Sequence, residues 1–266
     1  MLSDIRGFFK DFRESLLKWR LFLYLGVQDV KGRYQRTKLG LLWPFMTISV
    51  WVVGVGAIYG SLFQQDLRSF LPYLASGFVL WGFIQSSLVE GCNSYFSAIG
   101  YIKQFNFPTT VYVLRTLVSN FFNFLITLPI LLLILIYFNI DFGIGTLWLL
   151  LGLAILFVVS FFHILLFSNV TLYVKDAPHL LSAILQLMFF ITPIIFTVDM
   201  LKQKGLDFIY SYNPFYYMIE VVRYPLLNNG SAGEHAYLVC LVYLAVIAPL
   251  SVVIAAISKR KMVYKL

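Results

Sequence analysis

Charged residues are scarce in this sequence: they make up 12% of its 266 residues, whereas hydrophobic residues make up 60%. A soluble domain carries about twice that charged fraction, and a soluble core of this size could not bury so much apolar surface. Cysteine is also rare, and Cys92 and Cys240 have no spacing typical of a metal or redox site. We therefore interpret both cysteines as structural and the chain as a membrane protein.

Motifs for nucleotide binding and catalysis are missing as well. Neither Gly-rich phosphate-binding pattern, G-x-x-x-x-G-K-[ST] or G-x-G-x-x-G, occurs, and His163, His179 and His235 have no metal spacing. Acidic residues are almost absent from the long apolar stretches, where proton-coupled transporters place carboxylates. The sequence thus predicts no catalytic residue, metal or cofactor in this chain, and it places any source of transport energy elsewhere.

Six apolar stretches are long enough to cross a hydrocarbon core of about 30 Å. Pro129 and Pro193 lie inside two of them and predict kinked helices. The predicted fold class is all-α: a polytopic membrane protein with six transmembrane helices, an N-terminal amphipathic interfacial helix and a re-entrant external segment before the last span. The six stretches are residues 41–63, 70–90, 111–138, 147–173, 180–198 and 236–258.

Basic residues are distributed unevenly between the two sides of the membrane that six spans would create. With six spans both termini lie on one side, which holds sixteen of the Lys and Arg residues, and the other side holds four. Cytoplasmic segments carry the excess of Lys and Arg in membrane proteins. The sequence therefore predicts cytoplasmic termini, and it assigns the net charge of +8 to membrane topology rather than to nucleic acid.

The N-terminal segment has an aromatic and basic pattern of its own. Phe8, Phe12, Leu16, Trp19 and Leu23 recur at spacings of three and four, with Lys and Arg between them. This pattern is typical of an amphipathic helix in the membrane interface. It divides the chain into an interface helix (1–32), a transmembrane domain (33–258) and a basic tail (259–266). The helix serves either as an anchor alone or also as a collar for a cytoplasmic partner.

Two further segments lie outside the spans. Residues 91–110 alternate polar and aromatic side chains before Pro108, and they predict a short interfacial helix that either docks a partner or packs on the N-terminal helix. Residues 199–235 predict two short helices in the outer leaflet, interrupted by Pro214 and Pro225. Glu220 and Arg223 are one helical turn apart there, which favours a structural salt bridge over a substrate contact.

Aromatic residues make up 18% of the chain. Aromatic rings can stack on the apolar faces of sugars, but most rings in a membrane protein face lipid or pack in the core. The two alternatives stay open for five rings on the first and fifth spans that would suit a sugar-conducting path. These are Tyr59, Phe63, Phe189, Phe190 and Phe196.

Four segments in this order resemble the membrane subunits of ABC-2 type exporters, especially those for O-antigen, capsule and teichoic-acid polysaccharides. The first is R-Y-Q-R-T-K-L-G-L-L-W-P at 33–44, although Pro44 is unusually early in the first span. The others are I-K-Q-F-N-F-P at 102–108, K-D at 175–176 with F-I-T-P-I at 190–194, and N-P at 213–214 followed by Glu220 and Arg223. Together they cover roughly residues 30–258.

The resemblance implies a bacterial inner-membrane homodimer with two copies of a separate ATPase subunit, which binds ATP and Mg. It implies a polysaccharide on undecaprenyl diphosphate as cargo, exported through a channel between the two copies. Arg33 and Arg36 would then lie where the lipid diphosphate arrives, although topology alone also explains them. The segment that would receive motion from the ATPase contains Ile99, Tyr101, Ile102, Lys103, Phe105, Phe107 and Pro108.

Two other functions are compatible with such a chain. A membrane-embedded transferase acting on a lipid carrier would need polar catalytic residues gathered at the interface, and the scattered His, Asp and Glu do not provide them. An ABC-2 exporter of drugs or lipids would share the fold, and only the aromatic content and short external loops favour a glycan.

Overall fold

The computed structural model describes residues 2–35 and 37–259, with side chains from Asp4 onwards. The described part contains helices and no β-strand, as the sequence predicts. Arg36 and all but the first residue of the basic tail lie outside the described residues. In chain order the helices are α1 (Leu2–Leu17), α2 (Trp19–Tyr34), α3 (Leu42–Leu62), α4 (Leu67–Cys92), α5 (Ile99–Gln104), α6 (Thr110–Tyr137), α7 (Trp148–Thr171), α8 (Ala177–Ile191), α9 (Val198–Gln203), α10 (Phe208–Ser211), α11 (Pro214–Asn228) and α12 (Glu234–Ser258).

Five helices in the described part are long and apolar enough to cross a membrane: α3, α4, α6, α7 and α12. Their bounds agree with the predicted spans to within about three residues. The predicted fifth span corresponds to α8, which has only 15 residues and is therefore about 22 Å long. The count of six spans stays a prediction.

Pro129 lies inside α6 as predicted, but the prediction that Pro193 lies inside a helix is wrong. Helix α8 ends at Ile191, and Thr192 is extended, with φ −78° and ψ 134°. The ring of a proline disfavours the helical conformation of the residue before it, and its nitrogen cannot donate a hydrogen bond. Residues 192–197 consequently form a turn between α8 and α9.

The N-terminal segment folds as two helices, α1 and α2, instead of the single amphipathic helix that was predicted. Helix α1 packs against α6 and α12, and α2 packs along α6. Gly26 allows this approach, since a Cβ atom there would lie 2.6 Å from a Val118 methyl carbon and 2.9 Å from the Arg115 carbonyl oxygen. Both helices are therefore docked on the bundle by specific contacts.

Helix α4 is the centre of the bundle and packs against α3, α6, α7, α8 and α11. Gly56 and Gly60 of α3 face Leu71 and Leu67 of α4, and a Cβ atom at either glycine would overlap the leucine. The G-x-x-x-G pattern of α3 thus marks a close contact between two helices of the same chain. Cys92 and Cys240 are buried and free, in agreement with a structural role.

The predicted pair of short external helices is wrong in number, because three helices, α9 to α11, occupy residues 198–228. Gly205, with φ +67°, follows the end of α9, and the Asn213 side chain caps α11, whose first residue is Pro214. A proline is well suited to the first turn of a helix because its missing N–H has no partner there. Pro225, by contrast, is accommodated inside α11. Whether this segment is re-entrant stays a prediction.

The bundle has two ends of different character. We call one the basic end: residues 4–35, 37–41, 93–109, 172–176 and 259. We call the other the tyrosine end: residues 63–66, 138–147 and 192–233. Helices α3, α4, α6, α7 and α12 connect the two ends.

Candidate functional site

The five aromatic residues predicted to line a path lie together on one side of the bundle. Tyr59 contacts Phe63, and Phe63 contacts Phe196, with ring centroids 5.4 and 5.6 Å apart. Phe189 contacts Phe190 at 5.4 Å. Helices α3 and α8 and the turn after α8 position these rings, so the structure brings together residues from two distant stretches of sequence.

Part of this aromatic group is core and part faces open space. Tyr59, Phe189 and Phe196 pack around a buried cluster that includes Phe70 and Leu74. Phe63, Phe190 and Phe196 line a cavity of about 440 Å³, and 56% of Phe190 is exposed. The role of these rings in a sugar-conducting path stays a prediction, because some of them pack in the core and others border open space.

We call residues 99–108, which are predicted to receive motion from the ATPase, the coupling segment. This segment also has two faces. Ile102 and Phe107 pack on a cluster that includes Phe8 of α1, and the ammonium group of Lys18 lies 5.3 Å from the Phe107 ring centroid. Phe105 stacks on Phe107, with centroids 5.4 Å apart and the rings 15° from parallel, yet about half of Phe105 is exposed. One face of the segment therefore packs on the N-terminal helix, and the other is free for a partner.

The remaining predicted coupling residues follow the same division. Tyr101 and Lys103 are exposed, Ile99 is partly buried and Pro108 is buried. The guanidinium group of Arg115 lies 5.4 Å from the Tyr101 ring centroid, so α5 is connected to the first turns of α6. The role of the segment in coupling stays a prediction.

Asp11 of α1 supplies the cap of α6. Its carboxylate accepts hydrogen bonds from the backbone N–H of Thr109 at 3.1 Å and of Thr110 at 2.9 Å, and from the Thr110 hydroxyl at 2.8 Å. Lys259, just after α12, forms an ion pair with it at 2.8 Å. Burial acts to raise the pKa of the Asp11 carboxyl, but the hydrogen bonds from Lys259 and Thr110 outweigh it and lower the pKa below its ordinary value.

Arg33, predicted to lie where a lipid diphosphate arrives, is bound to a carboxylate. Its Nη1 and Nη2 donate to the two oxygens of Glu90 at 2.6 and 2.8 Å, which joins the end of α2 to the end of α4. The hydrogen bond with Glu90 raises the pKa of Arg33. Both side chains are partly exposed, so a ligand can reach the pair but must compete with Glu90 for Arg33.

A second pair fixes α2 to α6. Arg115 donates from Nε and Nη2 to the two oxygens of Asp29, at 2.6 and 2.5 Å. The neighbouring Ser119 and Asn120 are buried, and their side chains have no hydrogen-bond partner within the described residues. A cavity of about 340 Å³ lies between α2, α4 and α6 beside these groups, and we expect it to hold water, since buried polar atoms need partners.

Arg223 is the centre of the contacts at the tyrosine end. It donates to one oxygen of Glu220 at 2.7 and 3.1 Å, which confirms the predicted pair, and to the Pro193 carbonyl at 2.9 Å. The Tyr73 hydroxyl donates to the same carbonyl at 2.9 Å, and the Tyr73 ring centroid is 3.8 Å from the guanidinium carbon. These bonds join the turn after α8 to both α4 and α11.

Four residues of these contacts were not predicted as site residues: Asp11, Asp29, Glu90 and Tyr73. A signal was present for Glu90, which lies at the end of the apolar stretch 70–90. Buried or half-buried charges are usually paired. The identity of each partner depends on tertiary packing and has no local pattern.

These helices define a multi-pass α-helical membrane protein. A family model described as "ABC-2 type transporter" matches residues 20–227, well over half of the chain, and the chain therefore belongs to the ABC-2 type transporter family. Two Klebsiella pneumoniae proteins, each named O-antigen export system permease protein RfbA, are 26% and 27% identical to it over 79% of this chain and 81% of their own length. A protein of the same name from Myxococcus xanthus is 23% identical over 70% of this chain and 71% of its own length.

Proposed function

We propose that this chain is the channel-forming subunit of an ATP-driven exporter that moves a lipid-linked polysaccharide across the bacterial inner membrane. The cargo is an O-antigen on undecaprenyl diphosphate, which moves from the cytoplasmic to the outer face. The observation that carries the proposal is the alignment with O-antigen export permeases over about four fifths of this chain and of the Klebsiella relatives.

The subunit works as a homodimer with two ATPase subunits, and the basic end with both termini lies in the cytoplasm. The excess of Lys and Arg at that end supports this orientation. Helix α3 offers a surface for the dimer, as α12 also does, because both are long and apolar but largely unburied within one chain. In α3, Trp51 and Ile58 are more than half exposed. If the two copies meet at α3, the aromatic group on α3 and α8 lies beside the channel between them.

The exposed face of the coupling segment is the ATPase contact. It is an apolar surface at the basic end, and aromatic residues of this kind often dominate the energy of a protein interface. ATP and Mg bind to the partner, since this sequence has no phosphate-binding motif. An exporter of drugs or lipids would use the same subunit arrangement and differ in cargo.

The experiment is purification of the tagged chain from its native membrane in mild detergent, with mass spectrometry of the proteins and lipids that accompany it. We expect an ATPase subunit at equal stoichiometry and a lipid diphosphate that carries sugar. Recovery of the chain alone, under conditions that keep related complexes intact, would contradict the proposal. Recovery of the ATPase together with a drug or an unglycosylated lipid would contradict the glycan cargo.

The variant Phe105→Ala, alone and together with Phe107→Ala, tests the proposed ATPase contact. We expect about tenfold less ATPase subunit per permease, the usual effect of losing one aromatic anchor from an interface. Tyr24→Ala is the matched control, because Tyr24 is 63% exposed but lies on α2, away from the segment. Equal ATPase recovery from all variants would remove the segment from the contact.

A further inference from the structure

The tyrosine end contains a cavity of about 690 Å³ between α4, α9, α11 and the start of α12. Its volume lies within the range of about 300–1,000 Å³ in which ligand sites usually fall. None of the five aromatic residues predicted to line a path faces it. We call it the tyrosine cavity, because Tyr73, Tyr216, Tyr217 and Tyr224 form part of its wall.

The wall of the tyrosine cavity combines aromatic surface with groups that both donate and accept hydrogen bonds. Besides the four tyrosines it contains the side-chain amides of Gln65, Gln203 and Asn228. Sugars present apolar ring faces and a rim of hydroxyl groups, each of which donates and accepts. Aromatic rings suit the former, and amides and hydroxyls suit the latter.

The charges around the cavity argue against an anionic ligand. Two basic side chains, Arg68 and Lys202, and two acidic side chains, Asp199 and Glu220, line it. Because Glu220 pairs with Arg223, the lining has an excess of only one positive charge. A phosphate site would carry an excess of Arg, Lys or helix N-termini, and an acyl-chain site would lack these groups. Glu220 uses only one carboxylate oxygen for Arg223, so the other oxygen can accept a hydrogen bond from a sugar hydroxyl group.

The inner wall is held in place by contacts within the chain. The Tyr217 hydroxyl donates to the Ser211 carbonyl at 3.2 Å, and Tyr73 is fixed by its bond to Pro193. Tyr216 and Tyr217 are buried, whereas Tyr224, at the mouth, is 39% exposed. A wall that is already ordered loses little conformational entropy when it binds a ligand.

We propose that each subunit binds an uncharged sugar segment of the transported glycan in the tyrosine cavity. The site has none of the five aromatic residues predicted to line a path in its wall, and it lies where the glycan leaves the membrane. This inference rests on the proposed function, since it takes the cargo to be a glycan and the tyrosine end to be external.

The binding test uses the full-length permease with its ATPase in lipid nanodiscs. Glycan export by the same wild-type complex is measured in parallel after reconstitution into sealed vesicles. The probe is a set of short, lipid-free and phosphate-free oligosaccharides cut from the host's O-polysaccharide, and binding is measured by native mass spectrometry. We expect Tyr224→Ala and Gln203→Ala each to weaken binding about tenfold, the loss of one aromatic or hydrogen-bonded contact. Tyr212→Ala is the matched control, because Tyr212 is 88% exposed on the same segment but does not line the cavity.

The outcomes separate this inference from the proposed function. Normal export without oligosaccharide binding would overturn the cavity as a glycan site and leave the function intact. Binding that Tyr224→Ala and Gln203→Ala leave unchanged would place the sugar elsewhere and also overturn it. Inorganic phosphate that displaces the oligosaccharide at equal concentration would identify an anion site instead. Absence of glycan export from wild type would overturn the function itself.

Discussion

The two ends of the bundle are held together by different kinds of contact. At the basic end, carboxylates pair with basic groups on helices that are far apart in the sequence, as in Asp11 with Lys259 and Asp29 with Arg115. At the tyrosine end the ion pair lies within one helix, Glu220 with Arg223. There the backbones of α7 and α11 approach so closely that glycine is required, and more closely than α2 and α6 approach at Gly26 of the basic end. A Cβ atom at Gly152 would overlap the Val221 carbonyl oxygen.

This difference indicates which end can change shape. In both pairs of the basic end one partner is buried and the other is partly exposed, so the exposed side chain can move into water without separating two backbones. A contact between two backbones has no such freedom, because close-packed interiors are not continuously deformable. We therefore expect conformational change to be concentrated at the basic end, around α1, α2 and α5, and the tyrosine end to move as a unit.

The largest effect is expected from removing Arg223. Arg223→Ala leaves the Glu220 carboxylate largely buried without its partner and removes a hydrogen bond to Pro193, which should destabilise the protein by about 3–5 kcal/mol. Thermal unfolding in detergent, followed by size-exclusion chromatography, measures the loss. Lys204→Ala is the control, since Lys204 is exposed on the same segment, and a similar midpoint for both variants would contradict the central role of Arg223.

Gly152→Ala tests the backbone contact directly. The added methyl group must push α7 away from α11, at an expected cost of about 1–3 kcal/mol. Gly82→Ala in α4 is the matched control, because a Cβ atom there meets nothing within 4 Å and alanine is the better helix former. Equal unfolding temperatures for the two variants would show that the contact between α7 and α11 can deform, which would contradict a rigid tyrosine end.

Loss of the α6 cap should have an intermediate effect. Asp11→Ala removes the acceptor for two backbone N–H groups and the partner of Lys259, and we expect a loss of about 1–2 kcal/mol. Asp11→Asn isolates the charge, because the amide oxygen can still accept a hydrogen bond.

The contribution of Asp11 should also depend on pH. Its pKa is lower in the folded state than its ordinary value of 3.8, so folding favours the charged form. The stabilisation is therefore complete above the unfolded pKa and disappears as the pH falls through the folded pKa. We expect the difference in midpoint between wild type and Asp11→Asn to be constant from neutral pH to about pH 5 and to shrink below about pH 4. A constant difference down to pH 3 would show that the charge of Asp11 does not contribute.

The contrast between the ends also explains what the sequence could predict. Long apolar runs specify the helices that cross the bundle, since the backbone must satisfy its own hydrogen bonds in lipid. The Glu220–Arg223 pair was also predictable, because both residues lie on one turn of one helix. The pairs of Asp11, Asp29 and Glu90 were not, because each joins two helices whose relative position follows only from packing. The end of α8 was misjudged for a local reason: the effect of Pro193 on Thr192 outweighed the apolar character of residues 194–196.

The smallest effect on stability, and the sharpest on function, is expected at the Arg33–Glu90 pair. Both groups are partly exposed, so Arg33→Gln and Glu90→Gln should each cost only about 0.5 kcal/mol. If Arg33 receives the lipid diphosphate, the two variants differ in export. Arg33→Gln removes the cation and lowers export, whereas Glu90→Gln removes the competing carboxylate and preserves or increases it. If the pair only holds α2 against α4, either substitution breaks the same contact and lowers export equally. Export of glycan by the two variants, normalised to the amount of assembled complex, therefore distinguishes a binding arginine from a structural one.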